Sequence, residues 1–114
     1  MEDIMALIAM CMPILPGKKQ MWLDMMNQIK EEPMRSMFYQ SRKDAGVQER
    51  SFLQETPAGD FVILTFEGEN PAEGFGQIMA NMDPGFAEFA KEVHGLDVNA
   101  PPPPMPTLII DTND

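Results

Sequence analysis

Cysteine, histidine, tryptophan and tyrosine each occur once in these 114 residues. A lone cysteine, Cys11, permits no internal disulfide, which is the pattern expected of a reducing cytoplasm. One cysteine and one histidine also give no spacing from which a zinc or iron site is built. No metal is therefore expected, and no cofactor is expected either; no glycine-rich phosphate loop accompanies Lys18 and Lys19. Positive charge is scarce as well. Eight Lys and Arg stand against eighteen Asp and Glu, a formal net charge of −10. Such a chain repels nucleic acid and anionic membranes, so neither is expected as a partner. Long apolar runs are missing too. The longest stretch without charge, Ile4 to Gly17, falls short of the ~20 residues that span a bilayer. Glu2 and Asp3 replace the positive start of a signal peptide, and Pro13 and Pro16 interrupt the run. A soluble, cytoplasmic protein is the expectation, with residues 1–114 forming one domain.

What is present is a strong pattern of strands and helices. Residues 47–69 read as a β-hairpin, with strands Val47–Thr56 and Phe61–Glu67 about the turn Pro57-Ala58-Gly59-Asp60. Its second strand is apolar on both faces, while the first carries Gln48, Glu49, Arg50, Gln54 and Glu55, as an edge strand does. Met5–Met12 reads as the first strand, apolar in both alternating sets and therefore central in a covered sheet. Lys18–Ala45 shows helical spacing in two pieces, with Pro33 breaking them and Gly46 closing the second. Lys18 and Lys19 oppose the dipole at the helix start, as an anion site or as solvated lysines. Asn70-Pro71-Ala72-Glu73 is a helix start, and Asp83-Pro84 repeats the signal for a second short helix that Gly95 ends. Gly74 and Gly76 either weaken the helix or let a neighbour approach closely. Pro101–Pro104 favours polyproline II. Thr107–Asp111 reads as a final edge strand, with Pro106 at its start.

The expected fold is therefore α+β, in the ferredoxin-like order β-αα-β-β-αα-β with a four-stranded antiparallel sheet. Helices cover one face of such a sheet. The other face of the two doubly apolar strands is left to water unless a second copy covers it, so a homodimer through the sheet face is expected.

The order of elements resembles the dimeric α+β barrel superfamily. That superfamily includes antibiotic-biosynthesis monooxygenases, haem-degrading monooxygenases and stress-responsive barrel proteins. The segments ILPGK (14–18), Trp22, QETPAGD (54–60), EGENP (67–71), Asp83-Pro84 and HGLD (94–97) are similar to a family of small uncharacterised bacterial proteins with this fold. These motifs are turns and caps, so they bear on fold rather than function. The resemblance implies a small apolar or aromatic ligand between sheet and helices. Alternatives are a cofactor-independent monooxygenase acting on a phenol or quinol, and a structural dimer with no pocket. The asparagine, tryptophan and histidine of the haem-degrading members do not transfer, because Trp22 falls on a helix and no asparagine matches.

Among individual residues, His94 is the candidate general base or haem ligand facing a pocket between helices and sheet, in the last turn of a helix whose dipole favours the charged ring. The competing reading is a C-terminal cap. Cys11, in an apolar strand, is expected to be a buried and inert thiol. The twelve methionines admit a copper(I) reading, but their helical spacing fits core or pocket lining. Trp22, Tyr39, Arg50 and Thr65 complete the set of polar-tipped side chains able to orient a ligand in an apolar pocket. For Arg50 the alternative is a surface ion pair with little effect on stability.

Overall fold

The computed structural model describes residues 6–101 and 104–113. Its elements are β1 (Ala6–Ile14), α1 (Lys19–Ile29), α2 (Met34–Asp44), β2 (Val47–Thr56), β3 (Gly59–Gly68), α3 (Pro71–Ala80) and α4 (Pro84–His94). The strands form one antiparallel sheet in the order β1-β3-β2. The class is α+β, as the hydrophobic patterning required.

Local signals set most boundaries. Pro33 sits just before α2 and separates it from α1, since a proline cannot continue the preceding helix. Asn70 caps α3, its side chain accepting from the Glu73 N–H, with Pro71 at the first helical position. Asp83 caps α4 by accepting from the N–H groups of Gly85 and Phe86, and Gly95 ends that helix in the left-handed region. The hairpin turn is tighter than the sequence implied. Thr56 pairs with Gly59, so Gly59 and Asp60 belong to β3 and only Pro57 and Ala58 lie between the strands.

Alternation along each strand decides what is buried. Met10 and Ile14 of β1, Val62 and Phe66 of β3 and Val47 of β2 point towards the helices and are buried. Two clusters fill that layer. Met10, Val47 and Phe66 pack with Phe75 and Ile78 of α3. Ile14 and Val62 pack with Trp22 of α1 and with Phe89 and Val93 of α4. Leu64 of the central strand touches both clusters, which makes the core continuous. The same apolar area leaving water supplies most of the driving force for the fold.

Three expectations are corrected here. The final strand does not form. Thr107–Asp111 is irregular, with Leu108, Ile109 and Ile110 exposed at 70%, 86% and 79%. Among the described residues the sheet has three strands, not the four of the ferredoxin-like arrangement. Pro104 and Pro106 donate no N–H to a ladder. Met105 between them packs on the first core cluster instead. As a result β1 lies at an edge of the sheet rather than at its centre. The third correction concerns Cys11. It is exposed, because it belongs to the set of β1 side chains that points away from the helices. Met5, the expected first residue of that strand, and part of the expected polyproline stretch lie outside the described residues.

The face without helices is mixed. Cys11, Ile63 and Phe52 form one row across it, and Ala9, Thr65 and Arg50 form the next. Leu7 and Phe52 are 55% and 52% exposed. Arg50 pairs with Glu67 on the same face at 3.3 Å.

Candidate functional site

Helix α2 is the least buried element, with no fully buried residue. Two side chains one turn apart hold it to the rest of the protein. The guanidinium of Arg42 lies 3.7 Å from the Phe38 ring centre. Its Nε donates to Glu49 Oε1 of β2 at 2.8 Å, and its Nη1 donates to Ser41 Oγ at 2.7 Å. The Arg42 and Glu49 side chains are only 16% and 8% exposed. Phe38 in turn meets Phe86 of α4 at 6.2 Å between ring centres.

This assembly separates two spaces. An inner cavity of about 70 Å3 lies between sheet and helices, walled by Met10, Trp22, Leu64, Phe89 and His94 among others. An outer groove of about 430 Å3 runs between α2 and the α3–α4 pair, walled by Met34, Met37, Ser41 and Asn81. Phe38, Arg42, Ile78, Met82 and Phe86 line both spaces and form the partition. Met82 is an adaptable side chain, able to move without loss of packing. The partition thus consists of one flexible thioether, two aromatic rings, one isoleucine and one fixed cation.

The five residues singled out by sequence do not converge. Trp22 is buried in the wall of the inner cavity, and His94 reaches the same wall. Tyr39 projects from α2 at 46% exposure, where its hydroxyl accepts from Arg35 and its ring carries that guanidinium at 4.4 Å. Arg50 and Thr65 sit on the opposite face of the sheet. The Thr65 hydroxyl is buried there without a hydrogen-bond partner among the described residues. Arg42, Glu49, Phe38, Met82 and Phe86 were not singled out. The available signal was the i, i+4 pair Phe38–Arg42 on a helix, followed after Gly46 by an acidic residue in a strand. Lys18 and Lys19 resolve as ion pairs, to Glu92 at 3.1 Å and to Glu55 at 2.8 Å.

His94 has a defined chemistry. Its Nδ1 lies 2.8 Å from the Pro13 carbonyl oxygen. A carbonyl only accepts, so Nδ1 carries the proton and Nε2 keeps its lone pair. Burial pushes the ring's pKa below its ordinary 6.5, and the bond to Pro13 opposes this only in part. Desolvation thus holds the ring neutral, where its place in the last turn of a helix had suggested a charged one. The unfolded chain takes up this proton at a higher pH than the folded one. Stability contributed at neutral pH is accordingly lost as pH falls below about 6.5. The melting-temperature advantage of the natural protein over His94→Gln is expected to shrink between pH 7.5 and pH 5.5. An advantage that widens on acidification would contradict the neutral ring.

Among the described residues no group of His, Cys, Asp and Glu is placed to hold a metal ion, and no helix is long and apolar enough to cross a membrane. Comparison with protein-family models, with curated proteins and with solved structures finds no match to this chain.

Proposed function

We propose that the protein binds a small apolar or aromatic molecule in the groove between α2 and the α3–α4 pair, with the inner cavity as an extension. The observation that carries this reading is the size and lining of the groove. At about 430 Å3 it falls in the range of about 300–1,000 Å3 typical of ligand pockets, with apolar walls and a few polar groups. The inner cavity alone, at about 70 Å3, is smaller than the roughly 150 Å3 that holds a benzene ring. Rotation of Met82 and Phe86 would join the two spaces. Trp22, the single tryptophan, stands at the inner end and reports the event. Titration with naphthalene is expected to change its emission saturably. Asn81→Phe, which fills the groove from an exposed position on its rim, is expected to weaken binding at least tenfold at an unchanged melting temperature. A flat titration of the natural protein would remove the reading.

We also propose that a second copy covers the helix-free face of the sheet. Phe52 stands more than half exposed there in one row with Cys11 and Ile63, and Leu7 stands more than half exposed two rows away; exposed apolar side chains grouped on one face mark interaction surfaces. A two-fold axis lets the same patch serve both partners. Sedimentation equilibrium at micromolar concentration is expected to give a dimer, and Phe52→Lys a monomer. A monomeric natural protein would refute the pairing.

A further inference from the structure

Resting on the binding reading above, we propose that Arg42 selects the ligand's chemical class: an uncharged apolar molecule bearing a carbonyl-type oxygen, with carboxylic acids turned away. The guanidinium has five N–H donors. Glu49 and Ser41 take one each, which leaves three without a protein acceptor among the described residues. The side chain is 16% exposed and lines both the groove and the inner cavity. Because Arg42 borders both spaces, a ligand that fills them comes within reach of these donors and, in this proposal, takes the place of solvent around them. A hydrocarbon leaves them unsatisfied, and an oxygen acceptor does not.

The surrounding charge decides between a neutral and an anionic acceptor. Glu49 already neutralises Arg42 at 2.8 Å. Asp44 and Asp83 line the same groove, and among the described residues neither has a basic partner. The Asp44 carboxylate accepts from Gln40, and that of Asp83 from the N–H groups of Gly85 and Phe86. A ligand carboxylate would enter an open groove whose charged side chains, Arg42, Asp44 and Asp83, sum to a negative charge, in a chain of net charge −10. Like charges nearby disfavour the ionised form of a carboxylate. A ketone oxygen collects the same hydrogen bonds without that cost. Phe38 and Phe86 provide flat surfaces for the rest of the molecule, and Met82 adapts to its outline.

Three molecules of nearly equal shape test the selection: 2-acetylnaphthalene, 2-isopropylnaphthalene and 2-naphthoate. Binding is followed through the methionine methyl resonances, since Met34, Met37 and Met82 line the groove. The ketone is expected to bind at least as tightly as the more hydrophobic hydrocarbon and roughly tenfold more tightly than the acid. In Arg42→Met/Glu49→Leu, which removes both charges together, the ketone is expected to lose about tenfold and fall behind the hydrocarbon. Arg42→Lys, which keeps the charge but not the fork of donors, is expected to fall between. If none of the three binds, the binding reading fails and this inference with it. If ketone and hydrocarbon keep the hydrophobic order in the natural protein, binding stands and the role of Arg42 is overturned. Tightest binding of the naphthoate would overturn the exclusion of acids.

Discussion

Arg42→Met alone is expected to lower the unfolding free energy by about 3 kcal/mol, whereas Arg42→Met/Glu49→Leu returns to within about 1 kcal/mol of the natural protein. The asymmetry follows from burial. The Glu49 side chain is 8% exposed, and Arg42 Nε is its hydrogen-bond partner. Removing the arginine strands a carboxylate out of water, and no other basic side chain pairs with it among the described residues. Removing both charges eliminates the desolvation cost together with the attraction, and methionine and leucine restore the packing. The single substitution also removes the cation stacked 3.7 Å over Phe38, which contributes a further fraction of the loss. Because α2 has no fully buried residue, this pair is a large part of what fixes the helix. Chemical denaturation of the natural protein and of the single and double variants measures the effect as a thermodynamic cycle. Equal losses in the single and double variants would show that the pair contributes through its shape and not its charge.

The second large effect concerns two glycines separated by one residue. Gly74→Ala is expected to cost about 2 kcal/mol or more, while Gly76→Ala is expected to stabilise by about 0.5–1 kcal/mol. Both lie in α3, where alanine is intrinsically preferred. Their surroundings differ. A Cβ at Gly74 would stand 2.6 Å from the Ala45 carbonyl oxygen and 2.7 Å from Val47 Cγ1, but a Cβ at Gly76 would meet nothing within 4 Å. Ala45 and Val47 flank Gly46, whose φ of +72° turns the chain from α2 into β2. The carbonyl of Gly46 closes over Gly68 in the same way. The turn after α2 is thus seated directly on the junction of β3 and α3, and a methyl group at either contact forces backbone apart. Thermal melts decide the matter: a fall of several degrees for Gly74→Ala against a rise for Gly76→Ala. A neutral Gly74→Ala would mean that the junction yields freely. Sequence alone left both glycines with the same two explanations, and each has turned out to require a different one.

Much of the chain was legible because its cues are local. The Asn70 and Asp83 caps, the break at Pro33, the stop at Gly95 and the hairpin about Pro57-Ala58 involve residues within a few positions of one another, so neighbouring side chains and φ preferences settle them. Periodicity likewise placed Trp22, Phe75, Ile78 and Phe89 on buried faces. What tertiary structure decided depends on partners distant in sequence. Thr107–Asp111 has the composition of a strand, but a strand exists only when a neighbour supplies its hydrogen bonds, and none among the described residues does so. Cys11 and Met10 belong to one apolar run, and only the presence of helices on a single side leaves the first exposed and the second buried. For Arg42 the sequence offered only the i, i+4 spacing to Phe38, and the rest depended on distant partners in the same way. An arginine on a helix is ordinarily a solvated charge, and it became a largely covered, paired and aromatic-stacked group only when the sheet brought Glu49 to it and α4 brought Phe86 against Phe38.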